Sequence, residues 1–123
     1  MTTRILYVDD EADLREVAAM ALELDPDFEP RDCASGEAAL GMARDWRPAL
    51  ILLDMMMPGM DGPTTLRALR DQPETADIPV IFVTARTQAR DIDALMALGA
   101  RGVIAKPFDP MALAQQVRAL LDG

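Results

Sequence analysis

The chain has 123 residues, of which 21 are acidic and 12 basic, for a formal charge of −9; that is about one domain's length, and an acidic balance without any Lys/Arg-rich tract argues against direct nucleic-acid binding. Cys33 is the sole cysteine and histidine is absent, which excludes an intramolecular disulfide, a His nucleophile or base, and His metal ligands. No apolar stretch approaches the ~20 residues of a membrane span, and Met1-Thr2-Thr3-Arg4 leads into an apolar run without a signal-peptide core, so no membrane insertion and a cytoplasmic location are expected.

Ile5 to Val8 reads as a short buried parallel strand and is followed by Asp9 and Asp10. Helical spacing of Leu14, Val17, Ala18, Ala21 and Leu22 predicts a first helix from Glu11 to Leu24, stopped by Asp25-Pro26-Asp27. Phe28 to Cys33 is a weaker strand, placed at a sheet edge because Pro30 has no N–H for a ladder. Ser35 is the expected N-cap of a second helix through Ala38, Ala39, Leu40, Met42 and Ala43, which Trp46-Arg47-Pro48 ends.

A second apolar run, Ala49 to Leu53, ends on Asp54. Met55 to Gly62 forms a loop, and Pro63 suits the first turn of a third helix carrying Leu66 and Leu69. After a solvated loop from Asp71 to Asp77, the strand Val80 to Val83 ends on Thr84. A fourth helix carries Ile92, Leu95 and Met96 and ends near Gly99. Gly102 to Ala105 is the last strand, followed by Lys106 and Pro107, and Asp109 with Pro110 opens a final helix bearing Leu113, Val117, Leu120 and Leu121.

Strict alternation of strand and helix predicts a doubly wound α/β fold, residues 1–123 forming one domain. In such sheets the ligand site lies beyond the carboxyl ends of the strands, so Asp9, Asp10, Asp54, Thr84 and Lys106 are expected on one rim. Their chemistry fits phosphoryl transfer to a carboxylate: Asp54 as nucleophile, Mg²⁺ joining the carboxylates, Thr84 and Lys106 as donors to phosphoryl oxygens. A tight reversal at Lys106-Pro107 makes a cis peptide the expectation there. Trp46 is expected to cover a core edge. The run Met55-Met56-Met57 with Met60 reads either as an adaptable apolar docking surface for a partner or, as the commoner case, with Met57 packed beneath the loop and the others partly exposed without consequence.

These elements resemble the receiver domain of two-component response regulators, of the stand-alone, chemotaxis-regulator-like kind, over essentially the whole chain. The likeness rests on Leu6-Tyr7-Val8-Asp9-Asp10-Glu11, on Asp54-Met55-Met56-Met57-Pro58-Gly59-Met60-Asp61-Gly62, on Thr84-Ala85 and on Lys106-Pro107-Phe108. The resemblance implies a flavodoxin-like (βα)5 sandwich with sheet order 2-1-3-4-5. It implies that Asp54 is phosphorylated by a histidine kinase or histidine phosphotransfer protein, and that Asp10, Asp54 and the Met56 carbonyl bind Mg²⁺, with Asp9 reaching it through water. Thr84 and Lys106 would hold the phosphoryl oxygens, and a protein target would respond. No output domain is expected, and no enzyme activity beyond assisting its own phosphorylation and slow dephosphorylation.

One departure is Val103, where the family commonly carries a Tyr or Phe whose ring turns inward on activation. A stiff β-branched side chain cannot do so, which shifts the expected output to the Thr84 loop and the fourth helix. Met56 and Arg86 stand where the resemblance implies that side chains border the phosphoryl site, and they offer no carboxylate to activate water. An aspartyl-nucleophile phosphatase would want Asp where Met56 stands. A flavodoxin-like cofactor binder would want Ser, Thr and Gly where Asp9-Asp10-Glu11 stands, and a partner-binding pseudo-receiver would be expected to lack one of Asp54, Thr84 and Lys106.

Overall fold

A computed structural model describes residues 2–122. Strands β1 (Thr3–Val8), β2 (Phe28–Cys33), β3 (Leu50–Asp54), β4 (Val80–Thr84) and β5 (Gly102–Ala105) alternate with helices α1 (Ala12–Leu22), α2 (Gly36–Trp46), α3 (Gly62–Arg70), α4 (Ala89–Ala97) and α5 (Leu113–Asp122). All pairings are parallel and the sheet order is β2-β1-β3-β4-β5, the flavodoxin-like arrangement that the family resemblance implies. Every residue of β3 and β4 is buried, as strands covered on both faces must be. Pro30 does lie in the edge strand, opposite Ile5.

The alternation of side chains divides the core in two. Ile5, Tyr7, Leu50, Leu52, Ile81, Val83 and Ile104 face α1 and α5, meeting Ala18, Ala21, Leu22, Leu113 and Val117. Leu6, Val8, Ile51, Leu53, Val80 and Phe82 face α2, α3 and α4, meeting Ala39, Ala43, Trp46, Leu66, Leu69 and Leu95. Among the described residues no helix is long and apolar enough to cross a membrane.

Local signals act largely as expected. Ser35 Oγ accepts from the Ala38 N–H at 3.1 Å, capping α2. Trp46 is buried at a core edge, with the Arg4 and Arg31 guanidiniums 5.5 and 4.6 Å from its ring centroid. Arg47 ends α2 in the left-handed conformation, at φ 54°. Met57 is buried and Met56 exposed.

Two helices differ at their ends from the sequence reading. α1 spans Ala12–Leu22 rather than Glu11 to Leu24, because the Leu24 and Asp25 N–H groups turn back to the Ala21 and Leu22 carbonyls in a tighter bend. Leu24 lies beyond the helix and is exposed, and Val17 on the helix is exposed as well, the buried stripe of α1 being Ala18, Ala21 and Leu22. Asp109 does cap, its Oδ1 accepting from the Met111 N–H at 2.9 Å. Its carbonyl, however, accepts from both Ala112 and Leu113, so a turn precedes the regular helix and α5 opens at Leu113 instead of Pro110.

Candidate functional site

Parallel pairing brings the strand ends to one rim, and backbone bonds carry the order one residue further. The Asp9 N–H donates to the Cys33 carbonyl, the Met55 N–H to Val83 and the Lys106 N–H to Thr84. These bonds anchor the Asp9 and Lys106 backbones just past β1 and β5, while Asp54 and Thr84 are the last residues of β3 and β4.

The carboxylates of Asp9, Asp10 and Asp54 each offer an oxygen within 4.8 Å of the others, with Asp9 and Asp54 buried and Asp10 exposed. Lys106 Nζ lies 3.1 Å from Asp9 Oδ2 and 3.3 Å from Asp54 Oδ2. Asp9 is held on every side: its Oδ1 accepts from the Glu11 N–H at 2.9 Å, its Oδ2 from the Tyr7 hydroxyl at 3.0 Å, and its carbonyl from Arg15 at 2.9 Å. Thr84 Oγ1 accepts from the Arg86 N–H at 3.0 Å and donates to Met55 Sδ at 3.5 Å. A thioether is a weak acceptor, which leaves that hydroxyl hydrogen available to a stronger one.

Burial pushes the Asp54 carboxyl up to about 6, with the neighbouring Asp9 charge adding to it and Lys106 and the Met56 backbone opposing it. Burial also disfavours the Lys106 ammonium, but the hydrogen bond to Asp9 and the charges of Asp54 and Asp9 outweigh this and raise its pKa. The Tyr7 phenol is held well above its ordinary range, chiefly by burial and then by Asp9. Three carboxylates facing one ammonium leave a net negative cluster of hard oxygen donors. That donor set suits a divalent cation such as Mg²⁺ and no soft metal.

Every residue singled out from sequence for this site, namely Asp9, Asp10, Asp54, Thr84 and Lys106, therefore reaches the same rim. Met56 lines the cavity there together with Glu11, Thr84 and Pro107. The Lys106-Pro107 peptide is cis. Val103 pairs with Phe82 and packs half-buried against the core beneath α2, α3 and α4.

Three residues carry site functions that the sequence reading passed over. Tyr7 bonds Asp9. Asp61 caps α3 through Oδ1, accepting from the Thr64 N–H at 2.9 Å; an Asp just ahead of Gly62-Pro63 is a recognisable N-cap signal. Gly62 packs against the backbone at the end of β3, where a Cβ would sit 2.6 Å from the Asp54 carbonyl oxygen.

The profile of the response regulator receiver domain matches residues 5–118. The phosphate regulon transcriptional regulatory protein PhoB of Klebsiella pneumoniae is 36% identical over 121 residues, covering 98% of this chain and 52% of that protein. The DNA-binding response regulator MtrA of Mycobacterium tuberculosis H37Rv is 39% identical, covering 98% and 51%. This chain thus spans about half the length of the curated relatives it matches. Among solved structures, the chemotaxis response regulator CheY4 of Vibrio cholerae superposes with a TM-score of 0.89 at 29% identity, covering 98% of this chain and 99% of that one. A putative response regulator from Chloroflexus aurantiacus gives 0.88 at 31% identity with full coverage of both.

Proposed function

This chain belongs to the response regulator receiver family, and from that premise we propose that it signals by accepting a phosphoryl group on Asp54 from a histidine kinase or histidine phosphotransfer protein. The observation that carries this reading is the setting of Asp54: only 4% exposed, at a strand end, with the Lys106 ammonium 3.3 Å from its Oδ2. An ionised Asp54 oxygen attacks phosphorus as the donor's P–N bond breaks. The electron pair of that bond stays on the imidazole nitrogen, and the product is an acyl phosphate. Lys106 donates to a phosphoryl oxygen, and the Thr84 hydroxyl exchanges its weak thioether acceptor for another.

Asp10, Asp54 and the Met56 carbonyl would hold Mg²⁺, with Asp9 contacting it through water. The cation supplies charge compensation for the moving phosphoryl group. Met56 and Arg86 contribute no carboxylate, so dephosphorylation proceeds without a dedicated general base from those positions.

Phosphorylation is then read by a protein target through the Thr84 loop and α4. That helix buries only Leu95 and leaves Met96 exposed, a thin attachment that a small shift at Thr84 can move. Val103, with no ring to swing, leaves this loop as the reporter. Incubation with Mg²⁺ and a small acyl-phosphate donor should add one phosphoryl mass to the wild type and none to Asp54→Asn. No gain in the wild type would overturn the assignment.

A further inference from the structure

Tyr7 is the chain's only tyrosine and is 1% exposed, yet its hydroxyl emerges from the α1–α5 core to donate to Asp9 Oδ2 at 3.0 Å. A buried hydroxyl needs a partner. This partner is also bonded by Lys106, whose Nζ lies 3.1 Å from the same oxygen and 3.3 Å from Asp54 Oδ2. The ring cannot easily turn away: Phe108, two residues after Lys106, meets it edge-on at 6.3 Å between centroids and 73° between planes. Tyr7 and Lys106 are thus two donors sharing one carboxylate oxygen, and Lys106 has a second acceptor within reach.

We propose that Tyr7 is a positioning residue that apportions Lys106 between Asp9 and Asp54, setting cation affinity and phosphoryl acceptance in opposite directions. By donating to Asp9 Oδ2, the hydroxyl draws off part of its charge and weakens its hold on Lys106. The ammonium is then free to serve Asp54 and the phosphoryl oxygens arriving there. Without the hydroxyl, Lys106 settles on Asp9. Asp54, relieved of its ammonium, binds a cation more tightly but presents fewer donors to a phosphoryl group. The acceptance half of this inference rests on Asp54 being the phosphoacceptor; the cation half does not.

The test uses Tyr7→Phe in the full chain, which keeps the ring and its contact with Phe108. Calorimetric titration with Mg²⁺ should give a Kd lowered about threefold to tenfold, and uptake from a small acyl phosphate should slow about tenfold, fractions of one charge-assisted hydrogen bond. Because Tyr7 is the only tyrosine, biosynthetic meta-fluorotyrosine modifies this position alone. As a stronger donor it should weaken Mg²⁺ binding, and its fluorine resonance should shift when Mg²⁺ is added. Unchanged Mg²⁺ affinity in Tyr7→Phe, or a joint loss of affinity, uptake and melting temperature, would overturn the proposal by leaving the hydroxyl a purely structural role. Absence of phosphoryl uptake in the wild type would instead remove the acceptor assignment, with the Mg²⁺ comparison still deciding the role of Tyr7.

Discussion

Replacing Asp54 by Asn should stabilise the metal-free protein. Asp54 is buried beside Asp9 and its carboxyl is pushed up to about 6 from an ordinary 3.8. At 1.36 kcal/mol per pH unit, that gap corresponds to about 3 kcal/mol of stability forgone when Asp54 is ionised in the fold. The sign follows from the raised value. The folded state holds the proton more tightly than the unfolded chain, so this contribution is fully present below about pH 3.8 and is lost as the pH rises through about 6. Asn carries no such charge but removes one of the two carboxylates that Lys106 contacts, so the net gain should be about 1–2 kcal/mol at pH 7.5. At about 3–4 °C per kcal/mol, the melting temperature should rise by about 3–8 °C. Thermal melts of both proteins in EDTA at pH 7.5 and 4.5 check this, with the advantage of Asn narrowing at the lower pH. Mg²⁺ should raise the wild-type melting temperature more than that of the variant. An Asn variant less stable than wild type at pH 7.5 in EDTA, or an advantage that does not narrow on acidification, would refute the electrostatic reasoning.

Gly62→Ala places a Cβ 2.6 Å from the Asp54 carbonyl oxygen; urea unfolding should show a loss of about 2–3 kcal/mol, accompanied by slower phosphoryl uptake as the acceptor strand end shifts. Arg47→Gly should stabilise by about 0.5–1 kcal/mol, because the residue at φ 54° no longer carries a side chain in the left-handed region; the same titration checks it. Phosphorylation should change amide exchange from Thr84 through Met96 more than in α1 or α2, and equal exchange in the two forms would remove the α4 output.

The site was legible because parallel strands deliver whatever follows them to one edge. An apolar run ending on Asp54 or Thr84 therefore announces position as well as chemistry, and the same holds for the polar residues just after β1 and β5. The edge placement of β2 followed equally directly from Pro30. What escaped depends on which neighbour covers which face. Val17 sits on the predicted apolar stripe of α1 but is exposed, since periodicity does not say how wide a strip α5 covers. Tyr7 reads as one more strand residue until Asp9 and Lys106 are in view, because the Asp9 oxygen its hydroxyl bonds is shared with a lysine 99 positions from it in sequence. Arg47 in the left-handed region has no sequence mark either, since glycine is the usual occupant.

The central claim is that one named oxygen nucleophile, the Asp54 carboxylate, receives the phosphoryl group. Borohydride reduces an aspartyl phosphate to homoserine, so treatment of the acyl-phosphate-labelled protein followed by peptide mass spectrometry reads the site directly. Homoserine at position 54, dependent on Mg²⁺ and on the donor, is the predicted result. Its appearance at Asp9 or Asp10, or at no carboxylate, would contradict the account.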